Sequence, residues 1–305
     1  MNEKDNLKLD SRPNLRKPYI ICGLNGWGNS GEVAIGGIDY IIKKFKGKKF
    51  AAMPASHYNI YQIPGIESLR PIFKMQEGLI TEINLPENQF YYAVNPESDH
   101  DLILFKGTEP NINWEEYADN VVSLACDFGA SRLFAFGGLL ERIPYNREPR
   151  ISCTCTNAIV KDEMDKYNVM FSNREGPATF NQMLVYTCRK KGLEGVGLTV
   201  RVPCYPECNV AIEYSPKSIK AVLIRLNHIM HLNMDFEDLN DAIKELEGKL
   251  DFVRQQNPQF KNYIEELEKD YVEMAYQEPL DISPNEAIRF AEEFLKGNNN
   301  RRQEH

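Results

Sequence analysis

The glycine-rich stretch Gly23-Leu-Asn-Gly26-Trp27-Gly28-Asn-Ser-Gly31 is the first place where residue types and spacing suggest chemistry. It follows an apolar run and precedes a helical pattern, so Gly26, Gly28 and Gly31 could aim backbone amides at a phosphate or carboxylate. The stretch lacks the P-loop lysine and the dinucleotide-binding spacing, which favours a tight structural turn over an anion site. Trp27 within it reads either as an interface anchor or as a lid over the core. Arg70, Glu109, Arg147 and Arg201 stand at strand ends or in turns, where they form internal ion pairs or line a polar cleft. An anion-binding reading would draw Arg70, Gly107, Thr108 and Arg147 around the turn at 26–31.

Other constellations read as structure. Cys153 and Cys155 share one face of an expected strand, and with Cys204 and Cys208 they offer four thiolates, but no paired CxxC knuckles occur. The expectation is small core residues and no metal. None of the five histidines adjoins a serine, cysteine or acid in a nucleophile motif, so no catalytic residue is assigned. His228 and His231 lie at i, i+3 near a helix end, where capping is the simpler reading.

The elements that must hold these residues follow from periodicity. The run at 19–22 reads as a strand, the glycine turn follows, and Asn29 with Glu32 suggests a capped helix carrying Val33, Gly37 and Ile41 on one face. Short strands near 50–53, 70–74, 79–83 and 90–94 are too close for helices between them and should pair antiparallel at one side of the sheet. The segment 101–106 reads as a buried strand, Asn113 and Glu116 as the cap of a helix over 114–128, and 132–136 as the returning strand. Strands at 151–156 and 195–202 with a helix near 180–190 continue the alternation. Gly107 and Gly137-Gly138 mark strand-ending turns, where α/β sheets present ligand sites.

After Ser215-Pro216 the chain turns helical. A helix runs to 231, apolar residues from Phe236 to Val253 and from Phe260 to Met274 repeat at three and four residues, and Pro258 divides them into an antiparallel hairpin. Ser283-Pro284-Asn285-Glu286 opens a final helix to 296. The expected organisation is a flexible segment 1–16, an α/β core 17–233, a helical extension 234–296 and a disordered tail 297–305.

Charge is unevenly placed. The 305 residues carry a net charge of -8, yet from Asp235 onward there are 18 acidic against 9 basic residues, so the first 234 are close to neutral. That distribution offers no basic face for a phosphate backbone, and nucleic acid is not an expected partner. No stretch approaches the roughly 18 apolar residues of a membrane span, and the first ten residues lack a signal-peptide core. With seven scattered cysteines, the expectation is a cytoplasmic protein with reduced thiols, no membrane contact and no cofactor.

Taken together, the segments Gly26-Trp27-Gly-Asn-Ser-Gly31-Glu-Val-Ala34, Arg70-Pro71, Asp101-Leu-Ile-Leu-Phe-Lys-Gly107-Thr108-Glu109-Pro110 with Trp114, Ile143-Pro144-Tyr145-Asn146-Arg147, Gly176-Pro177-Ala178 and Val202-Pro203-x-Tyr205 resemble the landmarks of the proteasome assembly chaperone family, of its second-member type. The resemblance covers about 17–250. It implies a three-layer α/β fold with a mixed, largely parallel central sheet, similar to nucleoside phosphorylases and hydrolases, and a role in binding other proteins. Archaeal and eukaryotic relatives insert a C-terminal tail of hydrophobic residue, tyrosine and any residue into proteasome α-ring pockets. This chain ends Arg301-Arg-Gln-Glu-His305 instead, so docking by that route is not expected. The reading from sequence is a non-catalytic protein-binding scaffold that forms a homo-oligomer, its interaction surface built from the strand-end turns and the hairpin at 236–276 serving as a second docking or self-association element. The rival is an anion-binding enzyme of phosphorylase-like type.

Overall fold

The computed structural model describes residues 7–61, 70–274 and 276. Four strands form the parallel centre of the sheet: β2 (Tyr19–Asn25), β7 (Leu102–Thr108), β8 (Arg132–Glu141) and β10 (Glu194–Pro203). Their sequences are near-continuous apolar runs because both faces are covered, as parallel strands require. Antiparallel strands extend each flank: β9 (Ile151–Cys155) beyond β10, and β6 (Glu87–Ala93), β3 (Lys48–Pro54) and β1 (Lys8–Leu9) beyond β7. The full order is β1-β3-β6-β7-β2-β8-β10-β9.

Helices cover both faces. On one side α1 (Val33–Lys44), α3 (Ala158–Asp165) and α5 (Pro216–Met230) bury Ile38, Ile41, Val160, Met164, Leu223 and Leu226 against Phe134, Phe136, Leu198 and Val200. On the other, α2 (Trp114–Asp127) and α4 (Phe180–Lys191) bury Tyr117, Val121, Leu184 and Cys188 against Ile20, Cys22, Ile103 and Ala135. Each of these fully buried aliphatic or aromatic side chains contributes about 1.5–3 kcal/mol of transfer free energy. The largely parallel sheet expected from the alternation, and the three-layer α/β fold that the family resemblance implies, are the fold observed.

Several local expectations are corrected. Residues 72–76 and 79–84 do not join the main sheet. They form β4 (Ile72–Gln76) and β5 (Leu79–Asn84), a separate two-stranded ribbon reversing at Glu77-Gly78, both with positive φ. Asn29 caps α1 from a greater distance than a capping box allows: its Oδ1 accepts from Ile35 N at 2.9 Å, while Glu32 takes a left-handed conformation. Asn113 is also left-handed, and its amide donates to His57 O at 3.0 Å rather than capping α2. Gly137 and Gly138 lie inside β8, and Gly107 inside β7. Helix α3, opened by Asn157, whose side chain accepts from Val160 N, had not been expected.

Helices α6 (Glu237–Gln256) and α7 (Pro258–Asp270) reverse at Asn257, whose side chain accepts from Gln259 N and Phe260 N. Their apolar faces are spent within the chain. Leu250, Phe260 and Ile264 pack with Tyr145, Tyr205, Cys208 and Ile212, in the segments following β8 and β10. Arg254 holds Glu268 through paired contacts of 3.0 and 3.1 Å, and Asn146 reaches Glu268 at 2.7 Å. The N-terminal segment is tied down from Leu7 onward: β1 pairs with β3, and Arg16 grips the Asp101 carboxylate at 2.7 Å. Its first six residues, the expected final helix and the tail at 297–305 lie outside the described residues. No helix among the described residues is long and apolar enough to cross a membrane.

Candidate functional site

The glycine turn lies flat on strand β8, and its glycines are there for close approach. Gly138 N donates to Gly28 O at 2.8 Å. A Cβ on Gly137 would meet Gly28 O at 2.3 Å, and one on Gly138 would meet Ser30 O at 2.2 Å. Gly31, at φ +62, is buried against Val202 and Ser215, and its carbonyl accepts from Ser215 N at 2.9 Å. Gly26, at φ +148, faces Glu109, whose Oε2 accepts from Trp27 N at 2.8 Å. Glu109 is fixed in turn, its N–H donating to Asn25 O at 2.7 Å and its carbonyl accepting from Asn59. The turn amide that could meet an external anion is therefore held by the chain's own carboxylate.

The nine residues singled out from the sequence fall in separate places. Gly26, Trp27, Gly28, Gly31 and Glu109 belong to the turn and its support. Gly107 and Thr108, with Asn25, Asn29, Glu32, Glu87 and Lys106, line an open cleft of about 250 Å³ on the β7 side. Arg70 is exposed on the approach to β4 and lines neither this cleft nor the cavity described next. Arg147 lies 3.5 Å from Glu273 in the turn that meets the C-terminal helices. The structure thus does not bring Arg70 and Arg147 to the glycine turn.

A better-formed cavity of about 260 Å³ opens on the β8–β10 side. Its floor follows from where α4 begins. Helix α4 covers β10 at Gly195, whose Cβ would touch Cys188, and at Gly197, whose Cβ would touch Val185. Two residues further along the same face come Thr199 and Arg201, level with Gly137 and Leu139 of β8, and α4, running antiparallel to β10, begins short of covering them. Ser152 of β9 pairs with Thr199 and extends the floor. Asn181, Gln182, Thr179 and Arg174 form the wall, and Trp27, 58% exposed, forms the rim. Arg201 was legible as a charged residue at a strand end, with an internal ion pair or a polar cleft both open; the hydroxyls around it gave no signal beyond alternation within β10.

The cysteine pair sits beside this floor. Cys153 and Cys155 are free thiols with sulfurs 3.5 Å apart. The Cys153 hydrogen bond lowers the Cys155 pKa, against burial, and Arg132 and Lys161 add to the lowering. Cys204 and Cys208 are also free, and Cys208 packs into the cluster under α6 and α7. Elsewhere, Arg132 is clamped between Glu163 and Glu194 at 2.6–2.9 Å, a structural junction at the opposite ends of β8 and β10.

The parallel centre, helices on both faces and two crevices flanking the C-terminal end of β2 define a three-layer α/β protein with its open surface at the point where strand order reverses. Residues 20–253 match the model of the PAC2 family, and the chain belongs to that family. Among solved structures, it is similar to a PAC2 family protein from Streptomyces avermitilis, at 23% identity and a TM-score of 0.70 over 81% of this chain and 99% of that one. A proteasome-assembly chaperone homologue of Mycobacterium tuberculosis matches at 20% identity and 0.70 over the same shares. PbaB of Pyrococcus furiosus, an archaeal proteasome activator, matches at 23% identity and 0.61 over 81% of this chain and 97% of that one. No curated protein matches the chain.

Proposed function

We propose that this protein is a non-catalytic protein-binding scaffold, and that the β4–β5 ribbon is the surface by which it joins a second copy of itself. The observation that carries this is the ribbon's composition: Ile72, Phe73, Met75, Leu79, Ile80, Ile83 and Leu85 are all 55–72% exposed. A lone two-stranded ribbon is marginal in water, and exposed apolar pairs across its strands, Phe73 with Ile83 and Met75 with Ile80, mark an interaction site. Among the described residues neither outer edge of the ribbon is paired. A free edge can pair with its own copy about a two-fold axis, satisfying backbone donors and covering the side chains at once. The ribbon's charges favour this, since Lys74 and Glu82 already neutralise one another. Relatives described as a proteasome-assembly chaperone homologue and a proteasome activator support a role that works through protein contacts.

The test is the solution mass of the full chain by light scattering, for wild type and for Leu79→Glu with Ile83→Glu. The wild type is expected at a multiple of 35.1 kDa and the double variant at 35.1 kDa, with unchanged circular dichroism. A monomeric wild type, or an oligomer indifferent to the two glutamates, would overturn self-association through the ribbon.

A further inference from the structure

We propose that the cavity at the ends of β8 and β10 binds a small organic oxyanion, a carboxylate or a phosphate ester, through Arg201 and Arg174. The proposal is independent of the ribbon and of any self-association. It begins with the state of Arg201, whose side chain is only 14% exposed. Its Nε lies 2.7 Å from Glu141 Oε2, close enough to pair in charge, yet that N–H is not aligned for a hydrogen bond. Its Nη1 is buried with no acceptor at all. A guanidinium carries five donors in a rigid fork, and confined donors without acceptors are costly. A bound oxyanion supplies two acceptors in the geometry the fork matches.

The rest of the lining fits the same ligand. It contains Arg174 and Arg201 and no aspartate or glutamate, in a chain whose overall charge is -8. Glu141, outside the lining, offsets the charge of Arg201, and Arg174 leaves the cavity with a net positive charge that favours an anion. Ser152, Thr154 and Thr199 present hydroxyls on the floor, and Asn181 an amide on the wall. Trp27 at the rim offers an aromatic face for the body of the ligand. At about 260 Å³ the space lies just below the range of roughly 300–1,000 Å³ typical of drug-sized sites, which points to a small metabolite. The assignment is to binding.

Isothermal titration of the full chain with phenyl phosphate and with benzoate tests the assignment and separates the two oxyanions. Saturable one-to-one binding of at least one is expected, weakened at least tenfold by Arg201→Gln and by Arg174→Gln and partly retained by Arg201→Lys. Arg174 is exposed, so its variant keeps the test valid even if Arg201→Gln perturbs folding. Absence of saturable binding of either compound at millimolar concentration overturns the site, as does an affinity unchanged within twofold in Arg174→Gln and in whichever Arg201 variant folds.

Discussion

The turn fits against β8 because the strand lacks side chains at 137 and 138, whereas the turn's Gly26 and Gly31 leave room for Glu109 and for Val202 and Ser215. A methyl group at 138 would stand 2.2 Å from Ser30 O, a backbone atom anchored between β2 and α1. Gly138→Ala is therefore expected to destabilise the protein by about 1–3 kcal/mol, measured by urea unfolding, because backbone must shift to admit it. Gly78→Ala is the control from a turn in which a Cβ meets nothing within 4 Å, where only the positive φ is strained. The sequence showed glycines at 26–31 and at 137–138, but not that the second set admits the backbone of the first. Spacing describes neighbours along the chain, and this contact joins residues more than a hundred positions apart. Glu109 illustrates the same limit: its charge was visible at a strand end, whereas its hydrogen bond to Trp27 depends on β2 and β7 lying side by side.

Among the elements, the C-terminal hairpin is committed to its own chain. Phe260 is fully buried between Tyr145 and Tyr205, with ring centroids 6.2 and 5.3 Å away. Phe260→Ala should cost about 3–5 kcal/mol and should raise hydrogen exchange first across α6 and α7, since the cavity opens between the hairpin and the β8 and β10 loops. Equal protection of α6 and α7 in the variant and wild type would contradict this. Leu246 and Leu250 face the same cluster, so changes there report internal packing and not association. Periodicity pointed to helices on either side of Pro258, and the second of them, α7, ends at Asp270 where the apolar repeat continued to Met274. It could not say what the stripes cover. The ribbon failed in the opposite sense: Ile72, Phe73, Leu79 and Ile80 read as strand in either setting, and β-branched or apolar composition does not distinguish a buried flank from an exposed hairpin. Helix α3 was missed because only Val160 and Met164 are buried along its eight residues.

For the whole molecule, acidity and stability are linked through a set of carboxylates held by cations. Asp101 is the most enclosed of them. Burial opposes its ionisation, but hydrogen bonds from the Arg16 side chain and backbone and from Asn95 N outweigh this and hold its pKa below the usual value. Glu87 and Glu268 are lowered too, by Lys49 in one case and, against burial, by Arg254 in the other. Carboxyls depressed in the folded state bind protons more readily when unfolded. Their contribution is thus complete above the unfolded values, near 3.9 for aspartate, and is lost as pH falls through the folded ones. Melting temperature is expected to be flat near neutrality and to drop below about pH 4. Asp101→Asn should lower it near neutrality and flatten its acid dependence; a variant whose pH profile parallels wild type would show that the Arg16 clamp carries no weight. The same view along the whole chain gives the ribbon a second meaning, in the order of synthesis. Leu85 leaves the ribosome 109 residues before Glu194 begins β10, which at 5–20 residues per second is on the order of ten seconds. Throughout that interval the ribbon, the most apolar exposed strand pair among the described residues, is already made while the sheet that fixes the fold is unfinished, so the nascent chain exposes early the surface we propose for pairing with a second copy.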